Sequence, residues 1–282
     1  MLIGSALAAI SVILALLSPL LVDPGAWKSI DFALRNCWNN PLIDWHIANI
    51  YTCPASAPHP LGTDAYGRDL WQMILLSIPT DIEVAFEIVS AAFAVGVTLG
   101  AVAAYAGGLA DEAVLRVTDV FLAFPVLPLA IILATVVARQ LWALELAVLV
   151  IWWPTYVRLS RSQVLSEKEK PYVEALRAMG AGGLRIVFRH LLPNSIYPVL
   201  VQATLDVGGV ILTFAALMFL GFSPSPLLPE LGNLVNDGIT KASVFTSPWI
   251  VLFPGLAILL IALGFNLLGD GIRDVLDPRL RR

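Results

Sequence analysis

Long apolar segments alternate along the chain with shorter segments in which charged residues, proline and glycine gather. Apolar segments of roughly 20 residues can cross the hydrocarbon core of a bilayer, about 30 Å thick, as α-helices. We therefore predict a single all-α membrane domain over residues 1–282. Its six predicted transmembrane helices lie at about 2–22, 82–106, 120–138, 144–157, 195–222 and 248–269.

Composition narrows the class of protein further. Hydrophobic residues make up 58% of the chain, charged residues 13%, and the mean hydropathy is +0.82. Soluble domains have roughly 45 to 50% apolar and about 25% charged residues. Lipid is therefore expected to surround most of this protein.

The segment 158–194 is a strongly basic island between two apolar segments. Its basic side chains are Arg158, Arg161, Lys168, Lys170, Arg177, Arg185 and Arg189. Each would cost roughly 2.5 to 3.5 kcal/mol at the centre of a bilayer, so the segment is predicted to be a loop in water. Its positive charge predicts the cytoplasmic side. Segments 23–79 and 223–247 are then external, and both termini are cytoplasmic.

The first apolar segment, 2–22, is expected to be retained as a membrane span. No basic residue precedes Leu2, and Ser18-Pro19-Leu20-Leu21 is a poor cleavage site for a signal peptidase. The external loop that follows contains both cysteines of the chain, Cys37 and Cys53. Two thiols in one extracytoplasmic loop favour a disulfide over two unpaired cysteines. In the chain-entropy model, a disulfide that closes a loop of this length stabilises the folded state by about 3 kcal/mol.

Three local patterns predict how the helices begin, pack and bend. Thr63 or Asp64 is suited to cap a helix. Small residues recur every fourth position in the second span, and this stripe predicts a close helix contact inside the bundle or with a partner subunit. Its members are Ala92, Gly96, Gly100 and Ala104. After a short turn at 107–119, Pro125 and Pro128 are expected to kink or loosen the third span.

Residues 166–194 predict a helix, a glycine turn at 180–183 and a second, basic helix. They resemble the cytoplasmic loop of the integral-membrane permease subunits of ABC importers, in which Glu-Ala-Ala is followed by three residues, Gly, nine residues, Ile, one residue and Leu-Pro. The matches are Glu174, Ala175, Gly180, Leu192 and Pro193, while Leu176 replaces the second Ala and His190 the Ile.

Two further segments resemble the peptide and nickel importer branch of these permeases, in particular the second permease of its pair. They are HPLGTDAYGRD at 59–69 and NLLGDGIRDVLDPR at 266–279. The chain departs from that branch in two places. Asp81, Glu83 and Glu87 lie where the family more often has Gly-Ala-Arg-x-Ser, and Leu231-Gly232 lies where it usually has Trp-Gly.

The resemblance implies a type I ABC importer permease in the cytoplasmic membrane, with a coupling helix between spans four and five. Its implied partners are a second, homologous permease, two ATPase subunits and an extracytoplasmic substrate-binding protein. ATP and Mg²⁺ would bind to the ATPases, and this subunit would need no cofactor. The residues expected to contact an ATPase are Glu174, Ala175, Arg177, Met179, Gly180, Ala181, Leu192 and Pro193.

Peptide is the substrate that the resemblance favours, with nickel and short oligosaccharides as alternatives. Glu83 and Glu87 share one helix face and Asp206 lies within the fifth span, so these acids are candidates for the translocation path. For Glu83 and Glu87 the alternative is pairing with a basic side chain of the outer loop or the partner permease. For Asp206 it is bonding to a neighbouring backbone inside the bundle.

Catalytic motifs are missing from the sequence: it has no G-x-x-x-x-G-K-[ST], H-E-x-x-H or G-x-S-x-G. The subunit is therefore not expected to hydrolyse ATP itself. Its three histidines, His46, His59 and His190, cannot supply a metal-binding cluster on one side of the membrane, and no basic patch indicates nucleic acid binding. An intramembrane enzyme would need paired acids at one depth, and a channel would not need a docking loop.

Overall fold

The computed structural model describes residues 2–22, 59–64, 66–137, 140–225, 228–241 and 247–276. The predicted Cys37–Cys53 disulfide lies outside these residues. The helices are α1 (Leu2–Leu21), α2 (Leu70–Ala106), α3 (Gly108–Leu122), α4 (Val126–Val136), α5 (Leu141–Lys168), α6 (Pro171–Ala178), α7 (Gly183–Ile186), α8 (Tyr197–Leu217), α9 (Leu231–Lys241) and α10 (Trp249–Leu276). A π-helical turn at Val187–Leu191 and a single α-helical turn at Leu192–Ser195 follow α7, and a second π-helical turn at Met218–Phe222 extends α8.

Among the described residues, α1, α2, α5, α10 and the extended α8 are each long and apolar enough to cross a membrane. If α3 and α4 are counted together as one span, broken by a bend of 92°, the total is six. The chain is thus an all-α protein with five to six apolar spans.

The second long helix begins earlier than the predicted span at 82–106. Its N-cap is Asp69, whose carboxylate accepts hydrogen bonds from the N–H groups of Trp71 and Gln72. The prediction that Thr63 or Asp64 caps the helix is therefore wrong. Residues 70–79, predicted as the end of an external loop, are helical as well. Pro79 lies inside α2 without ending it, because a proline removes a single backbone hydrogen bond that a long, well-packed helix can lose.

The region predicted as a short turn at 107–119 and a span at 120–138 is instead two helices. Gly107 and Gly108 both have positive φ and separate α2 from α3. The chain then breaks at Ala123 to Pro125, where Pro125 is the N-cap of α4. Pro125 disfavours the helical conformation of the residue before it, which accounts for the break. Pro128 lies in the first turns of α4 and does not interrupt it.

Three other boundaries between predicted spans and loops differ from the structure. In each case the helix extends into residues that include charged side chains, which can contact water. The fourth span was predicted at 144–157, but α5 runs from Leu141 to Lys168 and so takes up the start of the predicted cytoplasmic loop. The predicted external loop at 223–247 contains the amphipathic helix α9. The helix of the predicted sixth span, α10, continues beyond residue 269 to Leu276.

Among the described residues, the most extensive contact between two helices is that of α2 with α5, along the stripe of small residues. A Cβ atom on Gly96 would lie 2.5 Å from Cβ of Tyr156, and one on Gly100 would lie 2.4 Å from the carbonyl oxygen of Val157. Ala92 and Ala104 of the same stripe are fully buried. The stripe therefore packs inside the bundle, one of the two predicted alternatives, and lets two backbones touch.

Candidate functional site

The predicted coupling helix is α6, which begins at Pro171 and ends in a glycine turn. The N–H of Gly180 donates to the carbonyl of Arg177 (2.9 Å), and the N–H of Ala181 donates to that of Leu176 (3.0 Å). This pair of bonds is a Schellman motif, which places the intervening residue in the left-handed region. Gly180 accordingly has φ of 76°, a conformation that glycine adopts without strain.

The predicted docking residues of α6 lie together on its outer surface. Glu174, Ala175, Arg177 and Gly180 are exposed, and Met179 is 74% exposed, unusual for a large apolar side chain. The opposite face of α6 buries Val173 in a cluster with Ala101, Ala104, Val164, Ile186, Val187 and Leu191. The helix is thus held by its inner face and presents the other to a partner.

The chain returns to the membrane through α7 and the first π-helical turn. Of the predicted docking residues here, Leu192 packs partly buried against the cluster behind α6, and Pro193 is exposed. Pro193 has no N–H to bond to the turn before it, which suits the widened π turn that ends at Leu191. A cavity of about 500 Å³ lies between the two helical arms, lined by Leu176, Met179, Gly180, Ala181, Arg185, Arg189 and His190. Its basic side chains suit an acidic partner surface.

Tyr105, which the sequence analysis did not single out, joins the end of α2 to this loop. The guanidinium carbon of Arg177 lies 5.4 Å from the centre of its ring, and Nζ of Lys168 lies 5.5 Å from it. Lys168 also donates hydrogen bonds to the carbonyls of Ala104 and Tyr105, at 3.0 and 2.8 Å. Gly183 lies against the ring, because a Cβ atom there would be 2.8 Å from Cε1.

Two ion pairs tie α3 to α5 beside the loop. Arg161 donates from Nε and Nη2 to the two carboxylate oxygens of Asp111, both at 2.6 Å. Arg158 pairs with Asp119. This second pair lies about one turn from Arg161 on α5 and about two turns from Asp111 on α3. A bidentate arginine–carboxylate pair fixes orientation as well as distance, so this contact sets how α3 is oriented against α5.

The candidate path acids do not form one site. Glu83 and Glu87 of α2 are exposed, and Glu145 of α5 faces them and interacts with both, most strongly with Glu87. Glu145 was not among the predicted residues, although an acid near the start of an apolar segment is a recognisable signal. A cavity of about 270 Å³ lies beside this group, lined by Glu87, Ile88, Ala91, Trp142, Glu145, Leu146 and Leu149.

Asp206 is a residue of α8, and its carboxylate lies between that helix and α5. It accepts a hydrogen bond from Nε2 of Gln202 at 2.9 Å, and its other polar neighbours are Tyr156 and Trp152. Tyr156 packs against Gly96, about 13 Å along α2 from Glu87. Of the two alternatives for Asp206, these neighbours fit an acid that faces the bundle interior, although its hydrogen bond comes from the Gln202 side chain and not from a backbone group.

The outer segment 59–69 is a compact, hydrogen-bonded unit. His59 Nδ1 lies 2.9 Å from Asp69, and Arg68 Nε lies 2.5 Å from Asp64. Burial raises the pKa of Asp64, although Arg68 opposes the rise. Trp249 donates to the carbonyl of Thr63 (3.2 Å), so the unit is fastened to the start of α10. These contacts account for the segment without a bound substrate.

Comparison with known proteins places this geometry in a family. Residues 96–282 match the family model described as "Binding-protein-dependent transport system inner membrane component". The chain is 41% identical over 226 residues to the dipeptide transport system permease protein DppC of Alkalihalophilus pseudofirmus, covering 80% of this chain and 74% of that protein. It is 38% identical over 228 residues to the glutathione transport system permease protein GsiD of Pectobacterium atrosepticum, covering 81% and 75%.

A third relative is the probable D,D-dipeptide transport system permease protein DdpC of Escherichia coli, 40% identical over 80% of this chain and 75% of that one. Among solved structures, an inward-facing MetNI methionine ABC transporter superimposes with a TM-score of 0.52 at 17% identity, covering 72% of this chain and 95% of that chain, and so shares the fold. The chain therefore belongs to the binding-protein-dependent transport system inner membrane components, the non-catalytic permease subunits of ABC transporters.

Proposed function

We propose that this permease forms one half of the membrane path of a peptide importer in the cytoplasmic membrane, with both termini in the cytoplasm. The observation that carries the substrate class is the similarity to relatives named for dipeptide, D,D-dipeptide and glutathione transport. A second permease would complete the path, an extracytoplasmic binding protein would deliver the peptide, and two ATPase subunits would bind ATP and Mg²⁺.

We further propose that α6 and its glycine turn dock in a groove of one ATPase. The support is geometric: a short helix held on one face presents Glu174, Arg177 and Met179 on the other. Closure of the ATPases would then move α6 as a rigid body. Tyr105 and the ion pairs between α3 and α5 would transmit that motion to the spans.

Glu83, Glu87 and Glu145 supply a candidate lining of the outer half of the path. They lie on apolar helices, and acids on spans face a bundle interior or a water-filled cavity rather than lipid. A peptide with a positive amino terminus would meet them there; the alternative is a basic side chain of the partner permease. Asp206 remains a second candidate at greater depth.

Reconstitution tests the substrate class. The permease, its partner permease and ATPases would be placed in proteoliposomes with the cognate binding protein, and ATPase stimulation and uptake measured with dipeptides, a tripeptide, Ni²⁺ and a short oligosaccharide. Peptides are expected to stimulate ATP hydrolysis and to accumulate. Stimulation by Ni²⁺ or the oligosaccharide alone would overturn the peptide assignment and leave the family unchanged.

A further inference from the structure

Two buried carboxyl groups meet at the amino end of α9. Asp81 of α2 is 4% exposed and Glu230, the residue before α9, is fully buried. Asp81 Oδ2 accepts from the N–H of Leu231 (3.3 Å), and Glu230 Oε2 accepts from the N–H of Asn233 (2.6 Å). Both acids thus cap one helix, although 149 residues of chain lie between Asp81 and the first residue of α9.

The remaining oxygens of the two carboxyl groups, Asp81 Oδ1 and Glu230 Oε1, are also buried. No other described residue donates a hydrogen bond to either one, and the two side chains interact with each other. Two ionised carboxylates cannot share a dry site, because each would pay for desolvation and repel the other. A proton between them removes the repulsion and gives both oxygens a partner.

The other charged groups on this side of the described structure are engaged with one another. Arg68 lies 2.5 Å from Asp64 and 3.9 Å from Asp237, and Lys241 pairs with Asp237. His59 bonds to Asp69, and Glu83 points outward from α2. The residues of α8 and α10 that pack closest to α9, such as Ala215 and Ile250, are apolar.

We propose that Asp81 and Glu230 form a proton-binding pair that seats α9 against α2, and that this seat weakens as the external pH rises and protons leave. The transport function proposed above does not itself require a proton-binding pair at this contact. Sensing of the external pH rests on the orientation proposed above, whereas the protonation of the pair does not.

The pH range follows from the burial of Glu230. Burial raises its pKa from 4.5 to about 7, while the N–H groups of Gly232 and Asn233 and the Asp81 side chain oppose the rise. A carboxyl whose pKa is higher in the folded than in the unfolded chain binds more protons when folded. The seat is therefore at full strength below about pH 4.5 and weakens as the pH rises through about 7, because Glu230 then loses its proton in a buried site.

Infrared spectroscopy of the purified permease in lipid nanodiscs tests whether the pair holds a proton. Wild type at about pH 6 is expected to show the C=O stretch of a protonated carboxylic acid, weakening by about half or more toward pH 9. Asp81→Asn and Glu230→Gln should each reduce that signal, and the double variant should remove it. Glu112→Gln is the matched control, because Glu112 is an exposed acid paired with Arg116. The absence of an acid band sensitive to either substitution would overturn the proposal.

Hydrogen exchange of α9 tests the consequence of proton loss. After correction for the intrinsic rate, amides in the peptide 228–241 of wild type should lose protection by about tenfold or more between about pH 5.5 and pH 8.5. The double variant Asp81→Asn, Glu230→Gln should keep the same protection at both pH values, and α6 serves as an internal reference. Glu230→Gln alone retains an acceptor for Asn233 and is expected to behave similarly if the double variant does not fold. Unchanged pH dependence in these variants, or none in wild type, would refute the pair.

Discussion

Gly180 shows how one backbone angle defines the end of the coupling helix. The two hydrogen bonds that close α6 require a left-handed residue between Met179 and Ala181, and φ of 76° at Gly180 supplies it. A side chain there would meet no neighbouring atom within 4 Å. The constraint is therefore conformational and not steric, and the two can be separated by mutation.

Gly180→Val is expected to weaken ATPase stimulation while leaving the permease in the membrane. A β-branched residue in the left-handed region costs roughly 1 to 2 kcal/mol or more, which unwinds the turn that positions Met179. Substrate-stimulated ATPase activity of the reconstituted complex is the measurement. Gly180→Asn should retain most activity, since asparagine tolerates this conformation.

Gly182→Val provides the matched control. Gly182 lies two residues away, also has open space around its Cβ position, and has φ of −67°, which valine adopts readily. Equal losses in Gly180→Val and Gly182→Val would show that added bulk, and not the turn, disturbs docking.

Tyr105 gives the second prediction at this scale. Tyr105→Ala removes the ring that contacts Arg177, Lys168 and Gly183, so the loop loses its aromatic contact with α2. Peptide uptake per ATP hydrolysed should fall several-fold, whereas Tyr105→Phe, which keeps a cation–π surface, should stay near wild type. Equal losses in both variants would mean that the hydroxyl, not the ring, carries the contact.

Gly180 and Tyr105 also show what sequence reasoning can reach. The place of Gly180 follows from local spacing, because a helix that stops at glycine has few alternatives. Tyr105 contacts residues 63 to 78 positions away in sequence, and nothing local distinguishes it from any aromatic residue at a helix end. The helix and its glycine turn were thus predictable in outline, but their attachment to the bundle was not.

At the scale of elements, α2 and α5 bring three acids to one exposed face. Glu83 and Glu87 were predicted from their spacing of four on one helix, whereas Glu145 joins them only because α5 packs along α2. Tertiary packing also decides the other differences from the sequence predictions. Pro79 stays inside α2, while Pro125 separates α3 from α4 by a 92° bend.

Neutralising these acids distinguishes a path from a structural pair. If Glu83, Glu87 and Glu145 face the path, Glu83→Gln with Glu87→Gln should lower uptake of peptides with a free amino terminus several-fold and leave assembly intact. N-acetylated peptides are the matched substrates, because they lack the positive end. If the acids pair with a partner subunit, assembly should fail instead. Unchanged uptake in a normally assembled complex would dismiss both roles.

At the scale of the whole molecule, α2 and α5 form the most extensive helix contact among the described residues. The buried clusters behind α6 and around Tyr156 both lie along this crossing. The stripe of small residues predicted that α2 makes a close helix contact, but only the structure shows that its partner is α5 and not another subunit.

In the same way, Asp81 and Leu231 lie at the two departures from the family pattern, and the structure alone shows that they touch.

Gly96→Ala is expected to destabilise the permease by about 1 to 3 kcal/mol, because the new methyl would overlap Tyr156 and the carbonyl of Trp153. Thermal unfolding in detergent measures the effect. Gly255→Ala is the control, since it lies within α10 and its Cβ would meet nothing within 4 Å. It should be neutral or stabilising by about 0.5 to 1 kcal/mol. Similar melting temperatures for the two variants would argue against the close crossing.

The length of α2 has a mechanical consequence. Its 37 residues form a rod about 55 Å long, with the Asp69 cap and the hydrogen-bonded outer unit at one end and Tyr105 at the other. A tilt of about 5° pivoting at Tyr105 would displace the far end by about 5 Å, roughly the width of a peptide backbone. If α6 and its glycine turn dock on an ATPase as proposed, a tilt of this size would move the far end of α2 by the width of a peptide backbone while the packing around Tyr105 stayed nearly unchanged.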